Sequence, residues 1–359
     1  MSGSRVSDPH LSRRSLLIGG WAAAASLAGP PVRCSGPQPW FEGRAIAIDP
    51  AEAEPLGVPE RVAALGLNVV DLCHTAEWAV GTEEGRRLID ALRRSGIGYE
   101  FSLHACTWFL PRSLFAADPS LFRMNDAGNR VPDANLCVHS ETALDILCEG
   151  AVRYARILPP STLRFHFWTD DGAPMCRCPK CRELSDSDQA LVLENRLVRE
   201  LRRCWPGARV AHLAYQRTLA APHKVKPAPG MYLEYAPIER DCLRPLDDGS
   251  EVHTRLLDHL DANLRVFGAQ DAEVLDYWLD NSRYAGWKRE KVTRVPWNAD
   301  AFRRDLRTYA TRGIRRIRTY AMWFDTEYVR RWGPPPLAEY AAGLARWRRV
   351  RGQPVEARG

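Results

Sequence analysis

Leu163-Arg-Phe-His-Phe-Trp168 runs straight into Thr169-Asp170-Asp171-Gly172, and Cys176, Cys178 and Cys181 follow with the spacing C-x-C-x-x-C. The apolar run reads as a buried strand. The Asp-Asp-Gly behind it puts two carboxylates at that strand's carboxyl end, which in a barrel of parallel strands is the end where chemistry is done. The three cysteines beside it call for a metal or for disulfides.

Outward from this strand, short apolar runs alternate with helical patterns in both directions. Upstream lie strands at Arg44–Asp49, Leu67–Asp71 and Ile97–Leu103, with helical stretches at Pro59–Leu65, Glu83–Arg94 and Glu141–Ile157. A long insertion rich in Pro, Asp and Asn, Pro111–Cys137, separates the third strand from the helix before Leu163. Downstream, Arg209–Ala214, Gly230–Tyr235, Ala272–Trp278 and Ile314–Met322 read as strands. Asp188–Cys204, Val252–Phe267 and a closing stretch Pro336–Val350 read as helices. Eight strands alternating with helices specify a single (β/α)8 barrel over residues 44–351, the TIM-barrel architecture.

The 359 residues are 45% hydrophobic and 26% charged, which suits a globular chain of one large domain. The formal charge of +6 includes +2 in residues 1–28, and the remainder is too scattered for a nucleic-acid surface. Ser12-Arg-Arg-Ser-Leu-Leu17 is a twin-arginine signature, followed by an apolar run to Ala28 and the small-residue pattern Ser26-Leu-Ala28. Residues 1–28 are therefore expected to be an export leader, residues 29–43 a linker and residues 352–359 a disordered tail. The mature protein is expected to be periplasmic or secreted, with no membrane attachment once the leader is cleaved. Ten cysteines in an exported chain permit disulfides, but spacing does not give their pairing.

The carboxyl ends of the strands carry Asp71 and His74; His104, Cys106 and Trp108; Trp168, Asp170 and Asp171; Tyr215 and Gln216; Glu234, Tyr235 and Glu239. The last two strands add Asp276, Tyr277, Trp278 and Asp280, then Trp323, Asp325 and Glu327. Unpaired buried carboxylates are costly, so such a rim implies cationic partners or a polar ligand. Arg240 and Lys288 are the cations at hand if the cluster is only an ion-pair network. Carboxylates beside aromatic platforms are what glycosidic bond cleavage needs: one carboxyl protonates the leaving oxygen, and the other activates water or attacks the sugar carbon. No H-E-x-x-H, G-x-S-x-G, P-loop or dinucleotide-binding glycine pattern competes with that reading.

Asp171 is the expected catalytic carboxyl, with Gly172 permitting close approach and Glu234 or Asp276 as its partner. Asp170, Tyr215, Gln216 and Tyr277 are expected to bind hydroxyls. His104, Trp108, Trp168, Tyr235, Trp278, Trp323 and Glu327 complete the expected carbohydrate surface. The alternatives are a carbohydrate-binding protein that kept the fold without hydrolysis, and a cysteine-rich metal-binding protein whose barrel is only a scaffold. No cofactor is required for hydrolysis or for carbohydrate binding. Cys176, Cys178 and Cys181 are expected to converge on the same rim as Glu234 and Asp276, holding either a structural zinc with a fourth ligand from Cys137, His139 or His166, or a disulfide.

Several of these segments together resemble the bacterial family catalogued as domain of unknown function 4838, over roughly Leu110 to Tyr340. The pieces that carry the resemblance are Trp168-Thr-Asp-Asp-Gly172 leading into Cys176-Arg-Cys-Pro-Lys-Cys181, Leu213-Ala-Tyr-Gln216 and Pro222-His-Lys-Val-Lys-Pro227. Leu233-Glu-Tyr-Ala-Pro-Ile-Glu-Arg240 and Leu275-Asp-Tyr-Trp-Leu-Asp280 complete them. The resemblance implies a glycoside-hydrolase-type barrel akin to α-glucuronidases and β-hexosaminidases, in a family whose members accompany polysaccharide-degrading genes. Hexosaminidases carry adjacent Asp-Glu after the fourth strand where this chain has Asp170-Asp171, and that departure counts against substrate-assisted cleavage of N-acetyl sugars.

Overall fold

A computed structural model describes residues 38–357 apart from His74. The expected leader, most of the linker and His74 itself lie outside the described residues. Eight parallel strands close into a barrel in sequence order: β1 (Gly43–Ile48), β2 (Val69–Leu72), β3 (Gly98–His104), β4 (Arg164–Trp168), β5 (Arg209–Ala214), β6 (Met231–Tyr235), β7 (Glu273–Asp280) and β8 (Arg316–Met322). β8 pairs back onto β1, with Gly43 opposite Arg316 and Ala47 opposite Tyr320. Every residue of β2, β4 and β7 is buried, as expected of strands covered on both faces.

The helices lie outside the barrel, and the longer ones between strands start at side-chain caps. Ser185 and Asp188 form a capping box at the head of Asp186–Cys204, whose Leu193, Leu197, Val198 and Leu201 face the core. Ser250 caps Glu251–Phe267, and Asn298 caps Ala299–Thr311. The last of these, between β7 and β8, is absent from the sequence reading. Its apolar residues are interrupted by Asp305 and Thr308, both of which it buries.

Two expectations about the carboxyl terminus are corrected. The closing helix is Leu337–Ala345 and stops there, and Trp347–Val350 is instead a strand pairing antiparallel with Gln353–Glu356. Arg351 and Gly352 between them both have positive φ, the geometry of a two-residue hairpin turn. The tail expected to be disordered is thus paired as far as Glu356.

The barrel interior is held by charge rather than by the branched aliphatics usual in this architecture. Arg318 of β8 donates to Asp71 at 2.6 Å, to Glu273 at 2.9 Å and to Glu100. His166 of β4 bridges Glu100 and Glu234, each at 2.9 Å. Burial and Arg318 oppose its charging, but Glu234 and Glu100 prevail and push its pKa up to about 9. Arg164 donates to Glu273 at 3.0 Å and lies over the Tyr232 ring, 3.6 Å from its centroid. These groups form the floor on which the barrel mouth rests.

Candidate active site at the barrel mouth

A cleft of about 300 Å³ opens at the carboxyl ends of the strands. Asp171 and Asp280 are its two carboxylates, and His104, Trp168, Tyr215, Gln216, Tyr277, Ser282, Trp287 and Tyr320 line it with them. Asp171 is exposed, directly beyond β4. Asp280 ends β7, is 5% exposed, and accepts from Ser282 Oγ and the Arg283 backbone N–H, both at Oδ1. Burial raises its pKa, against the opposing effect of those hydrogen bonds and of Arg283. Tyr215 stands beside both acids: burial first, then Asp171 and more weakly Asp280, push its phenol pKa up.

The backbone supports this arrangement at three places. Gly172 has φ +56°, a conformation that favours glycine, and a Cβ there would come within 2.2 Å of Gln216 Oε1 and push that side chain out of its place in the cleft. Gln216 and Trp287 line the cleft with φ of +45° and +55°, conformations that cost a non-glycine residue energy and cluster at functional sites. His104 Nδ1 lies 2.7 Å from the Thr169 carbonyl. A carbonyl only accepts, so Nδ1 carries a proton and donates it there.

Of the carboxyls expected to act, only Asp171 reaches the cleft. Glu234 is fully buried in the floor, accepting from His166 and, at 2.8 Å, from Trp168 Nε1. His166, Arg318 and Trp168 overcome burial and hold its pKa below the usual carboxylate range. It fixes the Trp168 ring rather than facing a ligand. Asp276 points away from the mouth, into the layer between β7 and the helix Ala299–Thr311. There it accepts from Arg240 at 2.7 Å and Tyr309 at 2.8 Å, the ion pair that Arg240 offered as the structural alternative. Trp278 shares that layer and donates to Asp305 at 2.9 Å, so it is packing and not a platform.

Other expected contacts also fall elsewhere. Tyr235 faces outward and donates to the Leu256 carbonyl. Glu327 is exposed and paired with Arg330 at 2.6 Å, while Trp323 lies under Arg289, 4.5 Å from its guanidinium carbon. Trp108 is 52% exposed but lines a separate groove with Glu77, Phe109 and Arg153. Asp170 is a latch: it accepts from Thr107 N–H at 2.9 Å, Thr107 Oγ1 at 2.6 Å and Asn135 N–H at 2.6 Å. Those bonds tie the end of β4 to the segments after β3, and Asp170 lies beside the cleft, lining a smaller pocket that shares His104, Asp171 and Tyr215 with it. His104, Trp168, Tyr215, Gln216 and Tyr277 do line the cleft, as expected.

The sequence reading passed over Asp280 as an actor and missed Trp287 altogether. A β-bulge explains the first. Asp276 pairs with Thr319 but Leu279 with Ala321, so β7 carries one extra residue between them. Strand alternation sends Glu273, Leu275 and Tyr277 inward and Asp276 and Trp278 outward; the bulge then switches the parity and brings Asp280 to the cleft.

Beside the mouth, Cys137 joins Cys176, Cys178 and Cys181, with all four sulfurs within 4.8 Å of one another and buried. Among the described residues every cysteine is free of disulfide bonding. The three loop sulfurs converge as expected, though Glu234 and Asp276 do not share their rim.

Comparison with known proteins agrees with this architecture. The family model described as Domain of unknown function (DUF4838) matches residues 54–281. No curated protein matches the chain. Among solved structures, the chain is similar to a β-N-acetylhexosaminidase from Bacteroides fragilis, at 13% identity and a TM-score of 0.51 over 85% of this chain. The match spans 66% of the hexosaminidase's length. An α-amylase from Lactobacillus plantarum is similar at 11% identity and a TM-score of 0.50, over 85% of this chain and 80% of that one. At such identities the likeness shows a glycoside-hydrolase-like fold, and activity has to be argued from the site.

Proposed function

The chain belongs to the DUF4838 family, and from that membership and the cleft of its barrel we propose that it is a glycoside hydrolase acting at the mouth through Asp171 and Asp280. The observation that carries the reading is the contrast between these two acids in one cleft. Asp280 is buried with a raised pKa, and Asp171 is exposed to solvent. Environments that push two carboxyls apart assign the acid and the base.

Asp280 would protonate the leaving glycosidic oxygen as the bond to the anomeric carbon breaks. Asp171, as carboxylate, would take the proton of the water that forms the new carbon–oxygen bond, or attack that carbon itself before water releases the sugar. Tyr215, next to both, and Gln216 would hold ring hydroxyls. Trp287, 64% exposed at the cleft, offers an indole face for a pyranose, and Tyr277 of β7 with Tyr320 of β8 forms an aromatic wall, their rings 5.5 Å apart. The twin-arginine pattern at residues 12–17 supports a substrate outside the cytoplasm. No helix among the described residues is long and apolar enough to cross a membrane.

A panel of oligosaccharides, neutral and acidic, incubated with the purified protein and assayed for new reducing ends tests the reading. Release by the native protein is expected from at least one class of glycan. Binding without any release would leave a lectin-like barrel in place of a hydrolase, and neither binding nor release would remove the carbohydrate reading.

A further inference from the structure

We propose that Cys137, Cys176, Cys178 and Cys181 bind one zinc ion, and that this ion clamps the insertion after β3 to the loop that carries Asp171. Cys137 Sγ lies 3.8 Å from both Cys178 Sγ and Cys181 Sγ. Four sulfurs at about 2.3 Å from a tetrahedral zinc are separated by about 3.8 Å, whereas a disulfide needs about 2.05 Å. Four mutually close thiols, all buried, and none joined to another, have no other evident use.

The surroundings are those of a metal–thiolate centre. Four thiolates around a divalent ion carry a net negative charge, and donors are gathered against it. The Met124 N–H points to Cys176 Sγ at 3.3 Å, Arg130 Nη1 to the same sulfur at 3.7 Å, and His139 Nδ1 lies 3.1 Å from Cys181 Sγ. Such outer contacts orient ligands and offset their charge. Gln189 fixes both ends of the loop, accepting from Cys176 N–H at 3.1 Å and donating to the Cys181 carbonyl at 3.2 Å. Sulfur-only ligation closes the site to substrate, which makes it structural rather than catalytic.

Its mechanical consequence follows from two residues next to the ligands. Asn135, two positions before Cys137, donates its backbone N–H to Asp170 and its side-chain amide to the carbonyls of Ala173 and Pro174. Met124 accepts from Arg177 N–H at 2.8 Å, between two of the cysteines. The ion would therefore hold together both sides of the turn in which Asp171 sits.

Elemental analysis of the full-length protein, purified without added metal, tests this directly. One zinc per chain is expected, retained by Cys204→Ser, whose thiol is exposed and outside the cluster, and lost by Cys137→Ser. Cobalt exchanged for the zinc should show the visible absorption of tetrahedral thiolate coordination. Should Cys137→Ser fail to fold, the metal content and denatured mass of the unaltered protein still decide. A metal-free chain, a mass deficit reporting disulfides among these cysteines, or iron in place of zinc would overturn the proposal.

Discussion

Asp280 combines a hydrogen-bonded Oδ1, near-complete burial and a place in the cleft, and burial raises its pKa above the ordinary carboxylate value. Its raised pKa has two consequences of known sign. As the general acid it must be protonated, so kcat/KM should fall on the alkaline side as pH rises through its pKa. In stability, a carboxyl whose folded pKa exceeds its unfolded one contributes most at low pH and loses that contribution as pH rises. Asp280→Asn should therefore raise the melting temperature near neutrality while turnover drops by roughly 10²–10⁴-fold. A variant that is less stable and still active would contradict both. Trp287 makes a different kind of contribution: its indole is mostly exposed and held at a positive φ. Trp287→Ala should raise KM with little change in kcat, as expected for loss of a contact made equally in ground and transition states.

At the scale of the element, β7 decides which acid acts. The alternation of side chains along its first half was legible in the sequence, and taken strictly it sends Asp276 to the same face as Trp278, away from Glu273. The bulge that then turns Asp280 inward was not legible, because it shows only in the register with β8. The outward face has its own role. Arg240 lies between Asp276 and Asp305, all three buried, and burial pushes the Asp305 pKa up to about 6 despite Arg240. Arg240→Met would leave two buried carboxyls without their cation and is expected to cost about 3–5 kcal/mol in denaturant unfolding. Asp276→Asn should lower stability but spare kcat in the folded fraction, unlike substitutions at Asp171. The strands and most of the long helices were readable from period and punctuation, while the short helices after the strands were not. Cys137 was only one of three candidates for the fourth ligand in the sequence, since 38 residues lie between it and Cys176 and only folding brings them together.

Across the whole molecule, closure of the barrel depends on polar contacts as much as on apolar ones. Arg318 links β8 to acids on β2, β3 and β7, and Glu52 accepts from the backbone N–H groups of Asp49 and Trp323, joining the ends of β1 and β8. Burial pushes the Glu52 pKa up to about 8. Its contribution to stability should be full at acid pH and be lost as pH climbs from the ordinary glutamate value through about 8. Urea unfolding across that interval should show the decline, and Glu52→Gln should flatten it. The eight-stranded barrel could be read from the alternation of strands and helices, and the Asp-Asp-Gly beyond β4 marked its mouth, but the proposed acting pair depends on a register and a burial that appear only in three dimensions. The most direct measurement is turnover of a cleaved oligosaccharide by Asp171→Asn, Asp280→Asn and Asp276→Asn, side by side with the native protein. Loss of turnover in the first two, with retention in the third, is the expected result; activity that survives in Asp280→Asn and vanishes in folded Asp276→Asn would contradict it.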